Sequence, residues 1–126
     1  MKLDYISNIN EYGESIVRLY DFDKSQAIRF RDIIQRTIVE SKQTLVLSTV
    51  DFIEARNCYL LLRIADEDKG ILTLDKINFH CFLTIEGYTQ LISLLKPFCE
   101  KETKGYQWLY DIDTPIDFLF SPAGTW

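Results

Sequence analysis

The chain has 126 residues, of which 47% are hydrophobic and 26% charged. That is one domain of common size, with too much apolar content for intrinsic disorder. Fourteen Lys and Arg against nineteen Asp and Glu leave a charge of −5, which argues against nucleic acid as a partner, and no apolar run approaches the roughly 20 residues that span a bilayer.

The opening Met-Lys-Leu-Asp-Tyr-Ile lacks the apolar core of a secretory signal. Three cysteines, an odd number, each sit in an apolar run: Cys58, Cys81 and Cys99. Free thiols in such runs behave as small core hydrophobes, so the expectation is a reduced, cytoplasmic protein. Residues 15–22 are β-branched and aromatic, which predicts a strand. Asp23 and Gln26 then have the spacing of a capping box, and Phe22 and Ala27 that of a hydrophobic staple. Ala27, Phe30, Ile33, Ile34 and Ile38 recur at helical spacing, so residues 24–41 read as a helix with one buried face.

Residues 44–53 read as a second strand, residues 54–57 as a turn and residues 58–66 as a third strand. In that third run both faces are largely apolar, which suggests a central strand partly covered on both sides. Asp66 to Gly70 is a turn, since Gly tolerates a positive φ. Residues 71–75 and 78–84 supply two further strands, broken at Asp75 and Lys76. Thr84 caps a second helix, predicted over 85–96, and Pro97 should end it. A hairpin closes the chain, from Tyr106 to Ile112 and from Ile116 to Ser121 around Thr114 and Pro115. The order β-α-β-β-β-β-α-β-β predicts a single α+β domain, mainly an antiparallel sheet with two flanking helices.

The templates for chemistry fail one after another. His80 and Cys81 are neighbours, but adjacent strand residues point to opposite faces, and no other spacing completes a zinc shell. Asp66, Asp68 and Gly70 echo a calcium loop, yet the position of its final glutamate holds Ile77. No serine lies in a nucleophile elbow, and no glycine cluster makes a phosphate loop. These failures predict no catalytic residue, no metal ligand and no cofactor.

Two constellations survive. Asp111, Asp113 and Asp117 surround the tight turn of the C-terminal hairpin, where carboxylates can raise one another's pKa, or simply be solvated. Tyr106, Trp108 and Tyr110 alternate on one predicted strand face, with Trp126 at the chain end. Such aromatics either close a small second core or mark a binding surface. Residues 64–126 hold five basic and ten acidic side chains, whereas residues 1–63 hold nine of each. The net charge thus belongs to the half that carries these aromatics, although Arg29 and Arg36 could still give the other half a small basic face.

The segments Phe79 to Tyr88, Pro97-Phe98-Cys99, Gly105 to Leu109 and Ser121 to Trp126, with the turn Asp68 to Ile71, resemble a family of small bacterial proteins of unknown function. The resemblance implies a free-standing bacterial cytoplasmic protein and no activity.

The expected function is therefore a non-enzymatic protein-binding or accessory module. Its partner would be another protein or a second copy of the chain. The candidate binding residues are Tyr106, Trp108, Tyr110, Asp111, Asp113 and Trp126. One alternative is a small ligand-binding protein or enzyme with a polar pocket between sheet and helix, using Asp111, Asp113 or His80 with an arginine such as Arg63. A further one is an acidic inhibitor that offers residues 66–68 and 111–117 to a basic partner.

Overall fold

The computed structural model describes residues 1–112 and 114–123. Two helices and nine strands form a single small α+β domain, as expected, but the strands make two mixed sheets rather than one. The first sheet has the order β4-β1-β2-β9-β8 and the second β3-β5-β7-β6, with strands β1 (Lys2–Ile6), β2 (Ser15–Tyr20), β3 (Leu45–Val46), β4 (Glu54–Ala55), β5 (Tyr59–Ile64), β6 (Gly70–Thr73), β7 (Asn78–Leu83), β8 (Gln107–Tyr110) and β9 (Ile116–Ser121). The β2–β9, β5–β7 and β1–β4 pairs are parallel, and the others antiparallel.

The first helix, α1 (Lys24–Ile34), begins as its capping box predicts: Gln26 N donates to the Asp23 carboxylate, and the Gln26 side chain accepts from Asp23 N. Its buried face carries Ala27, Phe30 and Ile34. The chain then continues in a wider π-helical turn over Gln35–Glu40, which keeps Ile38 on that face. The helix expected over 24–41 is thus present, with a change of pitch at Gln35.

Three expectations are corrected, and one strand, β1, was not expected. Residues 44–53 are not one strand: only β3 pairs, and a 3-10 turn follows over Leu47–Thr49. Leu45, Leu47, Val50 and Ile53 are the buried positions, and their later spacing of three cannot be met by a period-two strand. Glu54 and Ala55, expected in a turn, pair with β1 instead. β1 itself escapes a reading by apolar runs because its outward positions are Lys2 and Asp4, which pair with Asp21 and Arg18. The second helix, α2 (Ile85–Glu100), runs through Pro97. An interior proline costs about 3 kcal/mol. Burial of Phe98 and Cys99 beyond it offsets that cost, since a buried Phe alone returns roughly 1.5 to 3 kcal/mol.

One core joins all layers. Leu3, Val17, Leu19, Phe118 and Phe120 enter it from the first sheet, and Leu60, Leu62, Ile71, Phe79 and Cys81 from the second. The Phe120 ring is surrounded by Phe22, Phe98 and Phe30, with centroids 4.0, 5.0 and 5.8 Å away. Between the sheets, Tyr5 packs on Phe79 at 4.7 Å. On the far side, the Tyr88 hydroxyl of α2 reaches Arg63 O at 2.6 Å and Cys81 O at 3.0 Å. α2 is thereby fastened to the inner side of β5 and β7.

Two glycines allow the turn between β5 and β6 to sit tightly. Gly70 has φ +76°, and a Cβ there would lie 2.6 Å from the Tyr110 ring. At Gly87, in the first turn of α2, a Cβ would lie 2.5 Å from Asp68 Oδ1. That oxygen also accepts from Thr84 N at 2.8 Å and Thr84 Oγ1 at 2.9 Å. Helix propensity alone predicts that Gly87→Ala gains up to about 1 kcal/mol. The expected outcome has the opposite sign, a loss of about 1 to 2 kcal/mol in urea unfolding, because Asp68 must leave its two donors. A stabilised variant would show that the contact is soft.

Candidate functional site

The C-terminal hairpin forms, but its alternation is broken. A bulge shifts the register, so that Trp108 pairs with Leu119 whereas Tyr110 pairs with Phe118. Successive residues of β9 face opposite sides. Trp108 and Tyr110 therefore face opposite sides of the sheet, whereas simple alternation predicts one shared face. Leu109 is buried, and Tyr110 packs against the core with its hydroxyl 3.3 Å from Asp68 O. Tyr106 precedes β8 and is half exposed, its ring edge-on to Trp108 at 6.1 Å. Asp113 and Trp126, the remaining predicted site residues, lie outside the described residues.

What the hairpin does build is a groove against the start of α2. A cavity of about 270 Å³ is lined by Asp68, Glu86, Trp108, Tyr110, Asp111 and Ile112, among others. Asp68 comes from the turn before β6, Glu86 from α2 and Asp111 from the end of β8. No Lys or Arg is among its described lining residues. Of the predicted residues, Trp108, Tyr110 and Asp111 thus meet at one place. Glu86 and Gln90 join them from a helix whose polar face carried no motif in the sequence.

A little further along β9 stands Asp117, half-buried. Its carboxyl is pushed up to about 6, first by desolvation and then by the charges of Glu14 and Asp111. Of the three carboxylates at this turn, Asp111 acts on Asp117 through its charge, as does Glu14, which the sequence reading did not include. Among the described residues no group of three His, Cys, Asp or Glu side chains is arranged to hold a metal ion.

A second surface was not expected. Of the two helices it is α2 that packs on the inner side of the second sheet, and no helix covers the outer face among the described residues. The strand β5, expected to be central and partly covered on both sides, is an inner strand whose Leu60 and Leu62 are buried and whose Leu61 and Arg63 are half-buried. Leu74 is fully exposed, and Tyr59, Leu72 and Ile77 are each about half exposed. A cavity of about 350 Å³ is lined there by Leu72, Leu74, Asn78, His80 and Phe82, with Thr73 and Asp75. The Asp75 carboxylate organises the β6–β7 turn by accepting from Ile77 N at 2.9 Å, and from Asn78 N and Nδ2 at 2.8 and 2.9 Å. Those donors lower its pKa to about 2. His80 and Cys81 point to opposite faces as predicted: Cys81 is buried, and His80 Nδ1 accepts from Arg63 Nε at 3.0 Å on the open face.

The thiols offer no nucleophile. All three are buried, and burial pushes Cys58 and Cys81 up to about 12 and raises Cys99. No helix is long and apolar enough to cross a membrane among the described residues. Comparison with protein-family models, with curated proteins and with solved structures finds no match to this chain, so the resemblance at Phe79 to Tyr88 brings nothing to these surfaces.

The raised Asp117 carboxyl gives a signed test. Unfolded, the group titrates near 3.9; folded, it titrates near 6. The folded state therefore holds the proton more tightly, and that contribution is fully present below about pH 4 and lost as pH rises through 6. Asp117→Asn should raise the stability at pH 7.5 by about 1 kcal/mol, or roughly 4 °C in Tm, after allowance for solvent screening. The gain should vanish near pH 4 in thermal unfolding followed by circular dichroism. A gain independent of pH would refute the assignment.

Proposed function

We propose that the protein is a non-catalytic binding module that receives a basic segment of a partner protein in the groove between its C-terminal hairpin and α2. One observation carries this reading. Asp68, Glu86 and Asp111, drawn from three separate parts of the chain, line a single cavity beside Trp108 and Tyr110, and its described lining residues include no basic side chain. Carboxylates at an aromatic-walled groove favour guanidinium and ammonium groups, both by charge and by the apolar contact that long basic side chains make along their stems.

The partners of these carboxylates divide the work. Asp68 is bound to Thr84 and shapes the groove. Glu86 and Asp111 are exposed and carry the attraction. Asp117, with Glu14 near it, extends the negative potential along the hairpin. Tyr106 and Ile112, both more than half exposed, supply apolar contact at the rim. The layout is that of an interface with a small concave centre and a charged border.

A hexapeptide alternating Arg and Leu serves as the probe, with its Glu–Leu counterpart as control, in isothermal titration. The Arg peptide should bind, and should weaken at least fivefold between 50 and 300 mM salt. E86Q/D111N should weaken it about tenfold, whereas E11Q/E40Q, which removes the same charge elsewhere, should change it less than twofold. Equal losses in the two double variants would mean attraction to net charge alone and would sink the proposal. So would binding of the Glu peptide with similar strength.

A further inference from the structure

The open face of the second sheet carries a separate feature, independent of the hairpin groove. Its centre is apolar, yet it holds an arginine. Arg63 is half-buried, and among the described residues it has no ion-pair partner. Its Nε donates to His80 Nδ1. That bond uses one of five donors on the guanidinium and leaves the terminal nitrogens to other acceptors. It also fixes His80 as an acceptor at Nδ1, so the ring proton sits on Nε2, a second donor on the same face. His80 in turn stacks near Phe82, 6.1 Å between centroids and 22° between planes.

Register places these donors relative to the cavity. Arg63 and Gly70 both stand opposite Phe82, and Leu61 and Leu72 both stand opposite His80. Arg63 itself does not line the cavity; its guanidinium reaches the edge of it through the bond to His80, which does. The Asp75 turn closes the cavity beside Asn78, two residues along β7 from His80. Otherwise the lining is mainly Leu72, Leu74, His80 and Phe82. A guanidinium thus stands beside an apolar trough, bonded to one of its lining side chains. The volume, about 350 Å³, lies within the range of small-molecule sites.

We infer that the Arg63–His80 pair and the apolar trough beside it form a binding site for a small apolar carboxylic acid, whose carboxylate meets the Arg63 guanidinium and whose hydrocarbon lies along Leu72, Leu74 and Phe82. Arg is the side chain best matched to a carboxylate, because its planar fork bonds both oxygens. A hydrocarbon tail covers leucine surface that is otherwise in water. An acid at the Asp75 end would be repelled, so the ligand has one orientation.

Octanoate, octanol and octylammonium share a tail and differ in the head group, and they separate the two halves of the argument. In 15N NMR titrations of the intact chain, octanoate should shift amides of β5, β6 and β7 and bind at least tenfold more tightly than octanol. Octylammonium should bind no better than octanol. R63M should erase the preference of octanoate over octanol, while L72S should weaken both ligands together. Circular dichroism confirms that each variant is folded; the wild-type comparison stands alone if one is not. Equal binding of octanoate and octanol, or shifts confined to other surfaces, would overturn the site. So would sedimentation showing that a second copy occupies this face. Failure here leaves the hairpin groove untouched, since none of its lining residues belongs to this trough.

Discussion

The arrangement depends on where the ring of Phe120 goes. It lies within 6 Å of Phe22, Phe98 and Phe30, which belong to the segment before α1, to the end of α2 and to α1 itself. One side chain of the last strand therefore couples both helices to the first sheet. Aromatic pairs of this kind add about 0.5 to 1.5 kcal/mol each beyond the area they bury. The same contact accounts for α2 passing through Pro97: stopping the helix there would withdraw Phe98 from the cluster. It also anchors β9 inside its sheet, with β2 on one side and the edge strand β8 on the other.

From this anchoring both surfaces follow. With β9 fixed, β8 is an edge strand lying beside α2, and the bulge between Trp108 and Tyr110 turns Tyr110 onto Gly70. Tyr110 and Asp68 then meet, and Asp68 reaches the cap of α2. The groove is thus the seam where hairpin, turn and helix are pinned together. The open trough has the converse origin. Tyr88 and Leu91 hold α2 on the inner side of β5 and β7, α1 packs on α2, and no further helix exists among the described residues to cover the outer side.

Local signals were legible where the chemistry is local. The Asp23–Gln26 box, the Thr84 cap, the Gly70 turn and the opposed His80 and Cys81 all depend on neighbours a few residues away. Partition of the strands into two sheets was not legible, since β2 pairs with β9 across some hundred residues and nothing in either run names its partner. The site suffered from the same limit in two ways. Alternation put Tyr106, Trp108 and Tyr110 on one face, and a single bulge residue undid that. Leu61 and Arg63, on the second face of β5, suggested cover because apolar residues usually have it; whether a helix comes to that side is decided by Tyr88 and Phe120, far away in sequence.

Among the described residues the ion pairs close within each half of the sequence, although β2 and β9 bring strands of the two halves side by side. Lys2, Arg18, Arg29, Arg31 and Arg56 pair with Asp21, Asp4, Asp51, Asp32 and Glu54, all before residue 64, and Lys96 pairs with Glu100. The acidic surplus of the second half is therefore not cancelled by the arginines of the first, and it stays where Glu86, Asp111 and Asp117 gather. Two arginines stand outside this scheme. Arg36 is exposed and donates to Asp32 O at the surface of α1. Arg63 instead lies half-buried on an apolar sheet, bonded to a neutral ring nitrogen. That bond leaves the terminal guanidinium nitrogens to the carboxylate inferred for the open face, on the side of the sheet opposite the core.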